Sequence, residues 1–173
     1  MTRLWFVPTV LGALLLFVPL AAQAVPPKTQ CGPDHAILYK RAVKLVDDAE
    51  KKLAAGYTAE ARAHLKEANS LFTILQKECL PQEKKVILTD KEAQQEAINQ
   101  KLAADELAQA ERLMKSAAEK EKKAAQIENI NSNLYAQYMR EAKSEYEQAH
   151  MRSIRSEIYA LRNQQMIFKF LVK

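Results

Sequence analysis

The fold of this chain is decided by residues 31–79, whose sequence is CGPDHAILYKRAVKLVDDAEKKLAAGYTAEARAHLKEANSLFTILQKEC. Gly56 is the only glycine between two runs that each have the apolar spacing of an amphipathic helix. Cys31 lies 25 residues before Gly56, and Cys79 lies 23 residues after it. A turn at Gly56 therefore predicts a helical hairpin whose open end brings the two cysteines together.

The apolar residues of each predicted helix fall on one helical face. The first helix begins at Pro33-Asp34, with Asp34 or a neighbour as its cap, and Thr58 caps the second. The face of the first helix consists of Leu38, Ala42, Leu45, Ala49 and Leu53. The face of the second consists of Ala61, Leu65, Ala68, Phe72, Leu75 and Cys79. Because Cys79 continues this face, it is expected to point towards the first helix.

Residues 1–24 have the pattern of an export signal. Arg3 supplies the positive charge, an apolar run extends from Leu4 to Leu20, and Ala22-Gln23-Ala24 matches a cleavage site. The alternative is an uncleaved membrane anchor, because residues 4–24 carry no charge and are long enough to span a bilayer. The signal predicts a periplasmic or extracellular protein. A membrane contact is expected only if the segment stays attached.

Cys31 and Cys79 are the only cysteines of the chain. In an oxidising compartment they are predicted to form a disulfide that closes the hairpin of residues 25–81. The alternatives are two free thiols or a link between two chains. In the chain-entropy treatment, a loop of this length stabilises the fold by about 4 kcal/mol.

The hairpin contains part of a known repeat pattern. The matching positions are Gly56, Ala61, Leu65 and Ala68. Residues 36–79 thus resemble a single tetratricopeptide unit, and they are also similar to the Ala-rich hairpins of uncharacterised bacterial envelope proteins. The departures are Asp48, Ala49 and Thr73, which replace the repeat's Leu, Gly and closing Pro, and no second copy follows. The resemblance implies a helical scaffold that contacts proteins. The alternative is a disulfide-closed hairpin that does not belong to this repeat family and has the same residue pattern.

Residues 82–173 contain neither glycine nor proline and predict a long helical hairpin or a coiled-coil-like arm. Gln82 to Leu88 is interpreted as a connector, after which Thr89 and Glu92 form a capping box for a third helix that extends to about Glu128. The charges of residues 119–123 interrupt its apolar face. That face is predicted to consist of Ala93, Ala97, Ala104, Leu107, Ala108, Met114, Ala117 and Ala118.

A turn is predicted at residues 129–133, where three asparagines and a serine occur in five positions. The alternative is one unbroken helix. The apolar face of the fourth helix consists first of Tyr135, Met139, Ala142, Tyr146 and Ala149. After Ala149 the spacing slips by one residue, and the face continues with Ile154, Ile158, Leu161 and Phe168. This slip predicts two different neighbours along one helix.

The C-terminal tail, residues 166–172, is the most apolar stretch that follows the export signal. It is predicted either to pack against the core or to dock onto a partner. In the second case Phe168, Phe170 and Leu171 are the partner-binding residues.

No residue constellation specifies catalysis or a cofactor. Glu147 and His150 have the spacing of half a di-metal site, but neither His35 nor His64 completes a second half, so no metal site is predicted. The 26 basic and 21 acidic residues are evenly mixed, which argues against nucleic-acid binding. No nucleophile motif is present, and the scarcity of glycine argues against an enzyme.

The sequence therefore predicts a non-catalytic, exported helical scaffold or adaptor that contacts an envelope protein. Helix three is a further candidate for contacts between copies of the chain. The alternative is a bundle that carries a ligand or a metal.

Overall fold

The structure of the chain is a computed structural model, and it describes residues 31–79 and 88–172. Within these ranges the chain forms four α-helices and one short 3₁₀ helix, without a strand. They are α1 (Pro33–Ala54), α2 (Thr58–Cys79), α3 (Asp90–Ile127), α4 (Ser132–Phe168) and the 3₁₀ helix (Lys169–Val172). The predicted all-α fold, a disulfide-closed hairpin followed by a long helical hairpin, is confirmed.

Some predictions concern residues outside the described ranges. They are the signal segment of residues 1–24, the lead of residues 25–30 and the connector up to residue 87. In the described part of the chain, no helix is both long enough and apolar enough to cross a membrane.

The first helix begins at Pro33, as predicted, but its cap is not Asp34. Gly32, rather than Asp34, is the N-cap: its carbonyl accepts from the amides of His35 at 3.1 Å and Ala36 at 3.4 Å. The Gly32 amide in turn donates to Nδ1 of His35 at 3.1 Å. Pro33 occupies the first helical position, where its fixed φ suits a helix and its missing N–H leaves no unsatisfied donor.

The turn between α1 and α2 forms at Gly56, as predicted. Its φ of 84° lies in the left-handed region, which glycine adopts without a steric penalty. Thr58 is the first residue of α2 and not its cap, since the amide of Ala61 already bonds to the carbonyl of Tyr57 at 3.0 Å.

The predicted ends of the two long helices are confirmed. The amide of Glu92 donates to the Thr89 hydroxyl at 3.3 Å, and the Thr89 amide donates to the Glu92 carboxylate at 2.9 Å. The α3 helix ends at Ile127, and the side-chain oxygen of Asn131 caps α4 by accepting from the amide of Leu134 at 3.1 Å. The chain therefore turns between α3 and α4 instead of continuing as one helix.

The faces of the hairpin helices agree with prediction on α2 and differ on α1. All six predicted residues of α2 are buried. On α1, Tyr39 and Val46 are buried, whereas Leu38 and Leu45 are only half-buried. The buried face is rotated because α1 packs against α4 as well as α2. The Tyr39 hydroxyl donates to the carbonyl of Gln165 on α4 at 3.1 Å.

Two contacts close the open end of the hairpin. Cys31 and Cys79 form the predicted disulfide. Beside it, Nε2 of His35 lies 2.8 Å from Oε2 of Glu78. Because Nδ1 of His35 accepts from Gly32, the neutral ring has Nε2 free to donate to the carboxylate.

The C-terminal half of α4 completes the hydrophobic core of the hairpin. Arg162 lies 2.8 Å from a carboxylate oxygen of Asp47 and 2.6 Å from one of Glu50, both on α1. Phe168 is fully buried and stacks on Phe72 of α2 at 6.3 Å between ring centroids. The buried residues of the first half of α4, Ala142 and Ala149, lie outside this core, and α4 contacts α3 as well as α1 and α2, so the prediction of two neighbours along this helix is confirmed.

Candidate functional site

The α3–α4 pair forms an arm that extends beyond the hairpin. Gly56 and Thr58 line the same surface depression as His150, which places the hairpin turn beside the middle of α4. The 14 residues from Ser132 to Glu145 therefore lie beyond it, a distance of about 21 Å at 1.5 Å per residue. The predicted coiled-coil-like arm is present, and its contacts show which surfaces remain open.

The contact between α3 and α4 follows a strict seven-residue repeat. On each helix, one set of buried and half-buried residues recurs at alternating spacings of three and four, which is the period of a left-handed coiled coil. On α3 they are Glu96, Asn99, Ala103, Glu106, Ala110, Leu113, Ala117, Lys120, Ala124 and Ile127. On α4 they are Tyr135, Tyr138, Ala142, Glu145, Ala149, Arg152, Ser156, Tyr159, Asn163 and Met166. We call this contact the seam.

Two hydrogen bonds fix the register of the seam. The Ser156 hydroxyl donates to the carbonyl of Ala103 at 2.8 Å, and the Asn163 amide donates to the carbonyl of Glu96 at 3.4 Å. The two pairs are seven residues apart on each helix. Continuing this antiparallel register by one and two further heptads brings small residues together, with Ala110 opposite Ala149 and Ala117 opposite Ala142.

Some of the larger seam positions carry ionic contacts. Arg152 lies 3.0 Å from Glu106, and Lys120 lies 2.8 Å from Glu145 and 3.0 Å from Glu141. The hydrogen bond from Lys120 holds the pKa of Glu145 below its usual value of 4.5. The same bond raises the pKa of Lys120. Charged pairs thus take some seam positions that are apolar in most coiled coils, beside apolar residues such as Leu113.

The predicted apolar face of α3 is wrong in all but one position. Ala117 is buried, but the other seven residues named for this face are exposed. Leu107 and Met114 are 46% and 54% exposed. The reason is that α4 covers the adjacent face of α3, which includes Ala110 and Leu113. The predicted face is consequently an unpartnered surface of the arm.

The end of the arm is a second exposed apolar feature. Ile130 lies in the turn between the helices and is 81% exposed. Residues 129–139 around it contain no charged side chain, although 27% of the chain is charged. An uncharged tip is typical of a surface that contacts another macromolecule rather than one that only faces water.

The C-terminal tail packs on the core, which confirms the first of its two predicted arrangements. Phe168 has no exposed surface, and the half-buried Phe170 and Leu171 pack against the same cluster. Partner binding by these three residues stays a prediction, since a partner would reach Phe168 only if the tail detached.

The candidate metal residues lie at an open surface. Glu147 and His150 line a shallow depression with Tyr146 and Met151, and among the described residues no three His, Cys, Asp or Glu side chains form a cluster suited to a metal. A separate open groove of about 460 Å³ lies between α2 and α4, and its polar residues Arg62, Lys66, Asn69 and Glu157 stand along its rim.

Comparisons with known proteins give no information on these surfaces. No protein-family model matches the chain, and no match is found among curated proteins or solved structures. The resemblance of residues 36–79 to a tetratricopeptide unit is not tested by these results and stays a prediction.

Sequence reasoning missed the seam and the exposed tip. Ala103, Ala110, Ala117 and Ala124 recur every seven residues, and this spacing was the available signal. Ile130 fell inside the predicted turn, where an isoleucine among asparagines is a conspicuous apolar residue.

Proposed function

We propose that the protein is an exported helical scaffold or adaptor that acts without catalysis, by contacting another protein of the cell envelope. The observation that carries this proposal is the arm. A single helix, α4, packs along α3, so an apolar face with Leu107 and Met114 stays open on α3, outside the hairpin core.

Export is supported by the signal pattern of residues 1–24 and by the disulfide. Disulfides form and persist in oxidising compartments, such as the periplasm and the extracellular space. The Cys31–Cys79 bond ties the two ends of the hairpin together, which suits a scaffold outside the cytoplasm. The resemblance to a protein-contacting repeat points to the same class of function.

The test is site-specific photo-crosslinking in the cells that make the protein. A photoreactive residue in place of Leu107 or Ile130 should give a covalent adduct with another protein. The matched control is Lys51 on α1, whose side chain is 77% exposed but lies on the hairpin. Adducts at all three positions, or at none, would refute the arm as the contact surface.

The same preparation tests the two alternatives. An adduct between two copies of the chain would indicate a homo-oligomer through α3. Stoichiometric iron, copper or zinc in the natively purified protein, with no adduct from the arm, would replace the proposal by a metal-carrying bundle.

A further inference from the structure

The exposed face of α3 repeats the geometry of the covered one. Its residues also alternate at spacings of four and three, and every one of them is exposed. They are Ala93, Ala97, Gln100, Ala104, Leu107, Glu111, Met114, Ala118, Glu121 and Ala125. We call this surface the open face.

The pattern of the open face indicates which kind of structure covers it. A seven-residue repeat keeps the same residues turned towards a neighbouring helix over many turns. On the covered face of α3, alanines alternate with larger residues, and α4 packs against them. Leu107 takes the place of Glu106 of the seam, so the open face is the more apolar at this position, and Met114 corresponds to the equally apolar Leu113.

Charges along one edge indicate the chemistry of the partner helix. Lys101, Lys115 and Lys122 follow the open face at the same edge, at steps of 14 and 7 residues, and all three are exposed. No carboxylate of the described residues pairs with any of them. A neighbouring helix with acidic residues along this edge would meet three cations, as flanking charges do in coiled coils.

A second copy of the chain fits this edge poorly. If two open faces packed antiparallel, the lysine edge of one copy would lie along the lysine edge of the other. Like charges at such flanking positions destabilise the pairing. A membrane surface also fits less well, because Glu111 and Glu121 lie within the face, and its large apolar residues are only Leu107 and Met114.

We propose that the open face binds an amphipathic helix of a partner protein, with small and apolar residues at heptad spacing and Asp or Glu along the edge next to Lys101, Lys115 and Lys122. The inference rests on the proposed function and specifies its partner. It predicts recognition by charge as well as by apolar contact.

The test uses the full mature chain and two synthetic peptides of about four heptads each. Both peptides have the same alanine–leucine face, and they differ only in glutamate or lysine along the edges. We expect the glutamate peptide to bind about tenfold more tightly in low salt, and this preference to shrink as salt is added. Equal binding of the two peptides, or none, overturns the inference.

Matched variants locate the binding surface. Leu107→Gln and Met114→Gln, each on the open face, should weaken binding of the glutamate peptide about tenfold. Leu102→Gln is the control, because Leu102 is 37% exposed on the other side of α3. Replacing the three lysines by glutamine should abolish the preference between the peptides. Circular dichroism checks that each variant is folded.

Other occupants give distinct results. A dimer in sedimentation that Leu107→Gln dissolves would show that a second copy covers the face. Binding to vesicles of anionic phospholipid that is lost in the lysine variant would indicate a membrane instead. If crosslinks from Leu107 form in cells but the peptides are not discriminated, this inference fails while the proposed function stands.

Discussion

Replacing Ala117 by leucine should open the arm and leave the hairpin intact. Ala117 is fully buried, and the register of the seam places it opposite Ala142, which is 1% exposed. Two alanines facing each other leave no space for the three additional carbon atoms of a leucine. Overpacking of this kind costs about 1–3 kcal/mol.

The cost should appear as faster hydrogen exchange in the arm. Its amides exchange by local opening, so about 1–3 kcal/mol corresponds to a roughly 5- to 160-fold faster exchange. Even in the unaltered protein, residues 115–133 should exchange faster than the hairpin of residues 36–79, since fewer buried side chains protect them. Exchange measured by mass spectrometry on peptides from both regions would show the two effects separately.

Ala108→Leu is the matched control for this experiment. Ala108 lies on the same helix and is exposed, outside both the seam and the open face. The control should leave exchange in the arm unchanged, because its side chain extends into solvent. If the two leucines had the same effect, or if Ala117→Leu had none, the close packing of small residues would not be what holds α3 to α4.

Three further outcomes are expected. Mass spectrometry of the purified chain should show a two-dalton loss and one linked peptide pair, and free thiols would contradict this. Replacing Cys31 and Cys79 by serine should lower the free energy of unfolding by about 4 kcal/mol in denaturant titration. Phe168→Ala should lower the free energy of unfolding by about 3–5 kcal/mol, whereas Val172→Ala, at a 41% exposed position, should lower it little. Equal effects of the two substitutions would show that the tail does not complete the core. Because the pKa of Glu145 is lowered in the folded protein, its stabilising effect is full above pH 4.5 and is lost as the pH falls through the lowered pKa. The protection of the arm amides, measured relative to their intrinsic exchange rate at each pH, should therefore decrease in acid. An unchanged acid response after replacing the lysine that bonds Glu145 would refute this cause.

The hairpin was predictable because the buried residues of α2 lie on one helical face and are close together in the sequence. Each residue of the α2 face is apolar and faces the same core, so spacing alone identified all six. The first helix shows where this reasoning ends. Tyr39 and Val46 are buried because α4 lies beside α1, and a contact with a helix more than a hundred residues away leaves no signal in the local spacing.

The face of α3 was not predictable from hydrophobicity, for a different reason. This helix carries two heptad repeats, and the more apolar one, with Leu107 and Met114, is the exposed one. The covered repeat contains Glu106 and Lys120, which pair with residues of α4 that are distant in sequence. Only the identity of the neighbouring helix shows which repeat is buried.

The unbroken repeat of the seam restricts how the reach of the arm can vary among related chains. One extra heptad in α3, matched by one in α4, would lengthen the arm by about 10 Å and keep every facing pair in register. An insertion of three or four residues would instead change the local supercoil and turn the lysine edge in a new direction. Whole repeats therefore set the distance at which Ile130 is held, and partial repeats set the direction in which α3 presents its open face.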